Sequence, residues 1–269
     1  MVIRGNFEAS LLDARMHRLD ESSDFIRYIL CFPKKNCNEL YDRLGNLVDD
    51  GFTHLIEYGK IYDEYHIIGK GYSSIVVLAY NKYYGSGLLK IRRIDSRRKT
   101  LEYEGIVLDY LDKTGYTPKL YLWRKDYIFR EYLGPQCMEF NELLDHIVLE
   151  EKDRARLTLV LKKVSSALYF LDLLGIDHGE LNRPYKHIYW CKSNVKIIDW
   201  ESSSFVRKPH NLTSVFSFLM YRYKYREKLW NIIGVDIEEI KDILKEYKVK
   251  RSITVLKKIF MLLEQPLPY

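Results

Sequence analysis

No apolar run in the chain approaches the roughly 18 residues a membrane-spanning helix needs, so a membrane partner is not expected. The opening segment, MVIRGNFEASLLDARMHRLDE, has no apolar core of the signal-peptide kind. Secretion is therefore not expected, and a cytoplasmic location is. Cysteine is scarce: Cys31, Cys37, Cys137 and Cys191 are scattered, form no CxxC pair and have no histidine at zinc-site spacing. They read as reduced core or surface thiols. Glutamine occurs only at Gln136 and Gln265, while tyrosine and lysine are plentiful, a balance that leans toward a thermophile. Repeats and low-complexity stretches are absent. What remains is an ordinary globular composition, 47% apolar over 269 residues, enough for one large or two small domains to bury a core without staples. The net charge of +6 tolerates anionic partners without specifying one.

The chain changes character twice. Residues 1–60 read as a small appendage, with a strand over Phe25–Phe32 and a helix over Cys37–Asp50 that carries Leu40, Leu44 and Leu47 and stops at Gly51. Residues 61–134 are strand-rich. Tyr65–Ile68 and Ser74–Tyr80 flank a glycine pair as a hairpin does, Leu88–Ile91 forms a third strand, and Leu120–Trp123 with Tyr127–Tyr132 forms a further hairpin. One helix is expected in this half, over Arg97–Lys113. Residues 135–269 are helix-rich. A long amphipathic helix is expected over Glu150–Leu174, then two short strands at Ile188–Trp190 and Val195–Ile198, then mostly helix from Thr213. The expectation is an α+β chain of two lobes, and a cleft between lobes is a common place for a ligand.

Several residues in this frame have chemical potential. Gly69-Lys70-Gly71 lies between apolar strands, where backbone amides can approach a phosphate; a plain hairpin turn has the same sequence. Ser74 stands where a third glycine would complete a phosphate-binding pattern. Lys90, inside Leu88-Leu89-Lys90-Ile91, needs a partner if buried, because an unpaired buried ammonium costs several kcal/mol. An edge-strand lysine reaching water is the alternative. Glu104 shares an apolar helical stripe with Leu101, Leu108 and Leu111, so it can meet Lys90 either in a structural ion pair or in a phosphate site. Asp199 follows the apolar strand Ile197-Ile198, where a carboxylate can face a cleft and hold a metal or simply cap a turn. The dense polar loop Asp177–His187 is costly to hold unless it is used. Arg92, Arg93, Arg97, Arg98 and Lys99 form a basic cluster, read either as a grip for RNA or as a solvated turn.

A Gly-rich hairpin, a strand lysine, a helix glutamate, an H-G-acid loop (HGELNRPYKHI) and an I-D-aromatic run (IIDWES) follow one another in the order found in protein kinases. Over residues 60–225 the sequence resembles that superfamily, most closely a group of archaeal serine/threonine kinases similar to the RIO kinases and to the small kinase of the tRNA-modifying KEOPS complex. The resemblance implies a protein-kinase-like fold with an N-lobe over 61–134, a C-lobe over 135–269, and ATP and magnesium as cofactors. It implies a phosphate loop of Gly69, Lys70, Gly71 and Ser74. Lys90 would sit on the α/β-phosphates, paired to Glu104. A hinge at Glu131-Tyr132-Leu133 would read adenine through its backbone. Asp199 would be the magnesium ligand and Glu180 would stand at the catalytic carboxylate position, with Arg183 and Lys186 near the transferred phosphoryl group. Phosphoryl transfer to serine or threonine of a protein substrate follows from the resemblance, and so does an alternative: a nucleotide-binding pseudokinase or an ATPase switch in an RNA-processing assembly. A small-molecule kinase is a further possibility, since fold does not fix substrate.

The departures from the pattern are specific. Glu180 is one methylene longer than the aspartate of that position. His187 stands seven residues after Glu180, where kinases have a metal-binding asparagine about five residues on. Trp200-Glu201 replaces F-G, and there is no room for a long activation loop before Thr213. His187 is not expected to bind magnesium, which takes oxygen ligands.

Overall fold

The computed structural model describes residues 14–266, an α+β chain whose strands pair antiparallel throughout the described residues. Two compact units divide at Pro135/Gln136. No described helix is long and apolar enough to cross a membrane.

The first unit runs β1 (Arg15–Arg18), α1 (Asp24–Cys31), α2 (Leu40–Asp49), β2 (Phe52–Glu57), β3 (Lys60–Tyr62), β4 (Tyr65–Ile67), β5 (Gly69–Lys70), β6 (Ser74–Asn81), β7 (Gly85–Arg92), α3 (Glu102–Leu111), β8 (Leu120–Trp123) and β9 (Tyr127–Arg130). Its main sheet has the order β1-β2-β6-β7-β9-β8, with the short β5 also paired to β6. The run expected as a strand at Phe25–Phe32 is helix α1 instead. Phe25, Ile26, Ile29 and Leu30 recur at helical spacing and are buried, but a short, almost wholly apolar run has no period that separates a strand from a buried helix. Phe25, Ile29, Leu30 and Leu47 pack into one cluster with Ile75, Val77, Leu89, Ile91 and Phe129 of the sheet. The segment before residue 60 thus supplies two strands of this sheet and covers one of its faces. Strand alternation sends Val76, Lys90 and Ile128 to the opposite face.

Helix α3 is shorter than expected. The Leu101 amide donates to the Lys125 carbonyl, and the Glu102 amide donates to the Thr100 hydroxyl. These local bonds compete with helical ones before Glu102. Gly105 lets α3 lie against β8, since a Cβ there would come within 2.7 Å of the Trp123 ring.

The second unit runs β10 (Cys137–Glu139), α4 (Phe140–His146), α5 (Arg154–Leu173), β11 (Ile188–Cys191), β12 (Asn194–Ile197), α6 (Asn211–Tyr221), α7 (Arg226–Ile233), α8 (Ile237–Val249) and α9 (Ile253–Glu264). Helix α5 starts after the expected Glu150, because Asp153 caps it by accepting from the Arg156 amide at 3.0 Å. It buries Leu157, Val160, Leu161, Val164, Leu168 and Leu171. At its end the buried Asp172 accepts from the Asn211 and Leu212 amides, the Asn211 side chain and the Tyr247 hydroxyl, fastening α5, α6 and α8 together. Burial still raises its carboxyl above the usual range.

The four cysteines are not reduced thiols: Cys31 pairs with Cys37, and Cys137 with Cys191. The second pair sits directly opposite in the β10–β11 register. Strand register is set by folding, so sequence spacing alone cannot reveal it.

Candidate functional site

In the first unit the antiparallel registers place Gly69 opposite Val76, Val76 opposite Lys90 and Lys90 opposite Ile128, one row across four strands. Lys90 lies two strands from Gly69, about 10 Å at the usual strand spacing. Ser74, two residues before Val76, shares the face of Lys90 and is buried. From the adjoining α3, Glu104 reaches Lys90 with Oε2 at 2.7 Å from Nζ. Both residues are buried, 8% and 4% exposed. At that depth the opposite charge offsets part of the hydration that each has lost.

The glycine turn is closed by the Gly71 amide donating to the Ser74 carbonyl, and Arg93 donates to the Gly71 carbonyl from outside. The Gly71 N–H is thus engaged within the turn. Lys70 does not join Lys90. Its ammonium lies over the rings of Phe32 and Tyr62, and its register partner Ile75 belongs to the opposite face. Glu131 and Leu133 lie half-buried in the segment leaving β9, where the Glu131 amide donates to the Lys119 carbonyl. In the basic cluster, Arg92 pairs with Asp126 and Arg93 with Asp95.

In the second unit the chain entering the loop is fixed by reciprocal backbone bonds between Asp177 and Ser204. The Asp177 carboxylate, almost wholly buried, pairs with Arg207 and His210. His178 donates from Nε2 to the Ile198 carbonyl at 3.0 Å and packs its ring against Trp200. Gly179 follows at φ +89, and a Cβ there would fall 2.5 Å from the Ser202 carbonyl oxygen. Only glycine fits this close passage. Glu180 then turns toward the segment after β12, accepting from the Ser202 hydroxyl, with its other oxygen 3.4 Å from His187 Nε2. Asp199 holds a left-handed backbone, φ 66, between Ile198 and the buried Trp200, whose indole donates to the Ile197 carbonyl. The Asp199 and Glu201 carboxylates lie within 4.8 Å of each other.

Burial lowers the pKa of both histidines, that of His178 to about 4, with the neighbouring His187 adding to it. Both rings are neutral near pH 7. The neutral His187 imidazole therefore brings no positive charge to the side facing Glu180. The donor chemistry fits a hard cation at Asp199, with Glu201 beside it, and does not favour one at His187, whose nitrogens suit softer metals. Of the residues foreseen, Lys90 and Glu104 meet in the first unit, with Ser74 on the same face, and His187 neighbours Glu180 and Asp199 in the second, whereas Lys70 does not join the first group. Arg183 and Lys186 are exposed on the loop.

Ser202 and the carboxylate of Glu201 were not foreseen as site residues. Nor was the strap of Asp177, Arg207 and His210, because contacts between segments about 30 residues apart leave no local period. Asn211, which accepts from the His178 amide, carries a detectable signal as an amide residue just before an apolar helix. Among protein-family models and curated proteins, none matches this chain.

Proposed function

We propose that the protein is an ATP-dependent phosphotransferase acting on an alcohol hydroxyl, the chemistry shared by serine, threonine and small polyols. The proposal includes a two-lobed, protein-kinase-like arrangement of the RIO-like kind, lacking a long activation loop. The observation that carries it is the buried Lys90–Glu104 pair, held in the same sheet row as the Gly69 turn. An isolated structural ion pair at this depth is not favoured over apolar residues of the same size. A pair that presents an ammonium to phosphate oxygens repays the cost in function.

In this reading Lys90 binds the α/β-phosphates and Glu104 holds the ammonium in place. The Glu131–Leu133 backbone reads adenine. Magnesium, held by Asp199 with Glu201 beside it, supplies charge neutralisation when bound. Glu180 orients the acceptor hydroxyl and takes its proton. The His178–Ile198 bond and the Gly179 passage fix where Glu180 points. Calorimetry tests the reading: ATP binding by the wild type tightens with magnesium, and Asp199→Ala abolishes the magnesium dependence. Unchanged magnesium dependence in Asp199→Ala removes Asp199 from the role.

One observation favours a second reading, a nucleotide-binding pseudokinase or ATPase switch: the Glu180 carboxylate already accepts from Ser202. A protein that binds Mg-ATP but transfers no phosphate to any acceptor fits that reading. The basic cluster is the feature an RNA partner would use, with Arg97, Arg98 and Lys99 lacking carboxylate partners among the described residues.

A further inference from the structure

The second unit contains a half-open cavity of about 320 Å³ whose lining combines the Phe218 ring and other apolar surface with cationic and hydroxyl side chains. Helix α6 contributes His210 at its N-terminal cap, Ser214 and Ser217 one and two turns on, and Arg222 just past its end. Lys248 reaches in from the end of α8, and Asn182 from the loop that carries Glu180. No aspartate or glutamate lines it. His210 is held by Asp177, whereas Arg222 and Lys248 have no carboxylate within ion-pair distance among the described residues.

We infer that this cavity is the acceptor site, and that it recognises a small phosphate ester. The inference rests on the phosphotransferase reading above. Arg222 and Lys248 neutralise a phosphomonoester dianion, and the Ser214, Ser217 and Asn182 side chains supply the neutral donors that complete its oxygen shell. The volume is at the lower end of small-molecule sites, roughly 300–1,000 Å³. It admits a phosphate and a short hydroxylated body. The strap between Asp199 and α6 leaves little platform for an extended peptide, since Asp177 and Ser204 bond it directly to the loop. Asn182 lies two residues from Glu180, at most about 7 Å along the chain. The cavity thus adjoins the loop that carries Glu180, and the proposal places the ligand's free hydroxyl toward that residue.

The reaction balances with ATP as co-substrate. The acceptor hydroxyl oxygen bonds to the γ-phosphorus, the bond from that phosphorus to the β,γ-bridging oxygen breaks, ADP leaves with the electron pair, and the hydroxyl proton passes to Glu180 and then to solvent.

The test is calorimetric titration at fixed ionic strength, without nucleotide. The probes are ribose 5-phosphate, glycerol 3-phosphate, inorganic phosphate, unphosphorylated ribose and a phosphoserine peptide. At least one of the two esters binds, ribose does not, and Arg222→Ala/Lys248→Ala weakens ester binding at least ~10-fold, the scale of one lost charge-assisted bond. Both substituted side chains are exposed, and an unchanged melting temperature and circular dichroism spectrum verify folding. No ester binding at about 10 mM, a weak-binding limit, overturns the inference. Equal binding by wild type and double variant does so too, and so does binding of the phosphopeptide alone. Because no nucleotide is present, these outcomes are independent of the phosphotransferase reading. Ester binding lost in the double variant, with no ADP formed after Mg-ATP is added, leaves the anion site standing and refutes transfer.

Discussion

Removing either member of the Lys90–Glu104 pair takes the nearest opposite charge away from a side chain that is about a tenth exposed or less. With Nζ 2.7 Å from Oε2 and both residues under a tenth exposed, little solvent is available to take over the lost partner's role. Lys90→Met and Glu104→Leu should each cost about 3–5 kcal/mol, the usual penalty for breaking a buried pair. The double variant should cost much less than the sum, because two apolar side chains of similar volume leave no charge behind. Hydrogen exchange resolved to β7 and α3 reads the first unit alone, avoiding the assumption that both units unfold together. Equilibrium titration with ATP on the same proteins separates stability from function. The double variant is expected to be folded and yet to have lost ATP binding. Single variants that each cost under about 1 kcal/mol, the range of exposed pairs, would refute the burial argument. A double variant that still binds ATP normally would reduce the pair to scaffolding.

Two further outcomes follow from the second unit. Gly179→Ala places a Cβ 2.5 Å from the Ser202 carbonyl oxygen at a positive φ, so it should destabilise by at least about 2 kcal/mol and misplace Glu180, read as a lower melting temperature together with lost turnover. Full turnover in a stable Gly179→Ala protein would contradict the packing. The His178 pKa of about 4 lies below its unfolded value near 6.5, so its stability contribution is complete above that value and is lost as pH falls toward 4. Between pH 7 and pH 5 this amounts to about 2 kcal/mol, and His178→Phe should be less stable at pH 7 but show a flatter decline, measured by urea unfolding at both pH values. An equal decline in both proteins would show that His178 is not the group titrating.

The legible parts of the sequence were those with a strong local period or an unusual residue in a regular place. The lysine inside Leu88–Ile91 and the glutamate on the α3 stripe required only alternation and helical spacing, and the structure brings them together. The apolar stripe of α5 was equally plain, and only its start moved, to the better cap at Asp153. The helix at Phe25–Phe32 was not legible as a helix, because nearly every position is apolar and the period vanishes. Both disulfides depend on tertiary placement, Cys137 opposite Cys191 across a strand pair and Cys31 turned back to Cys37. Within the loop, Gly179 and Glu180 were visible as a motif. Their positioning by Ser202, Arg207 and His210 was not, since those contacts come from a segment that has no regular structure of its own.

The proposed function is transfer of the γ-phosphoryl group of ATP, with Glu180 as the base. The most direct test follows γ-labelled Mg-ATP with wild type and Glu180→Gln across hydroxyl acceptors, ribose 5-phosphate among them, with nucleotide affinity measured alongside. Transfer by the wild type is expected, and in Glu180→Gln the same ATP affinity with transfer slower by at least ~10²-fold, the usual scale for a positioned base. A wild type that does not bind Mg-ATP, or a Glu180→Gln protein that transfers phosphate as fast as the wild type, would contradict it.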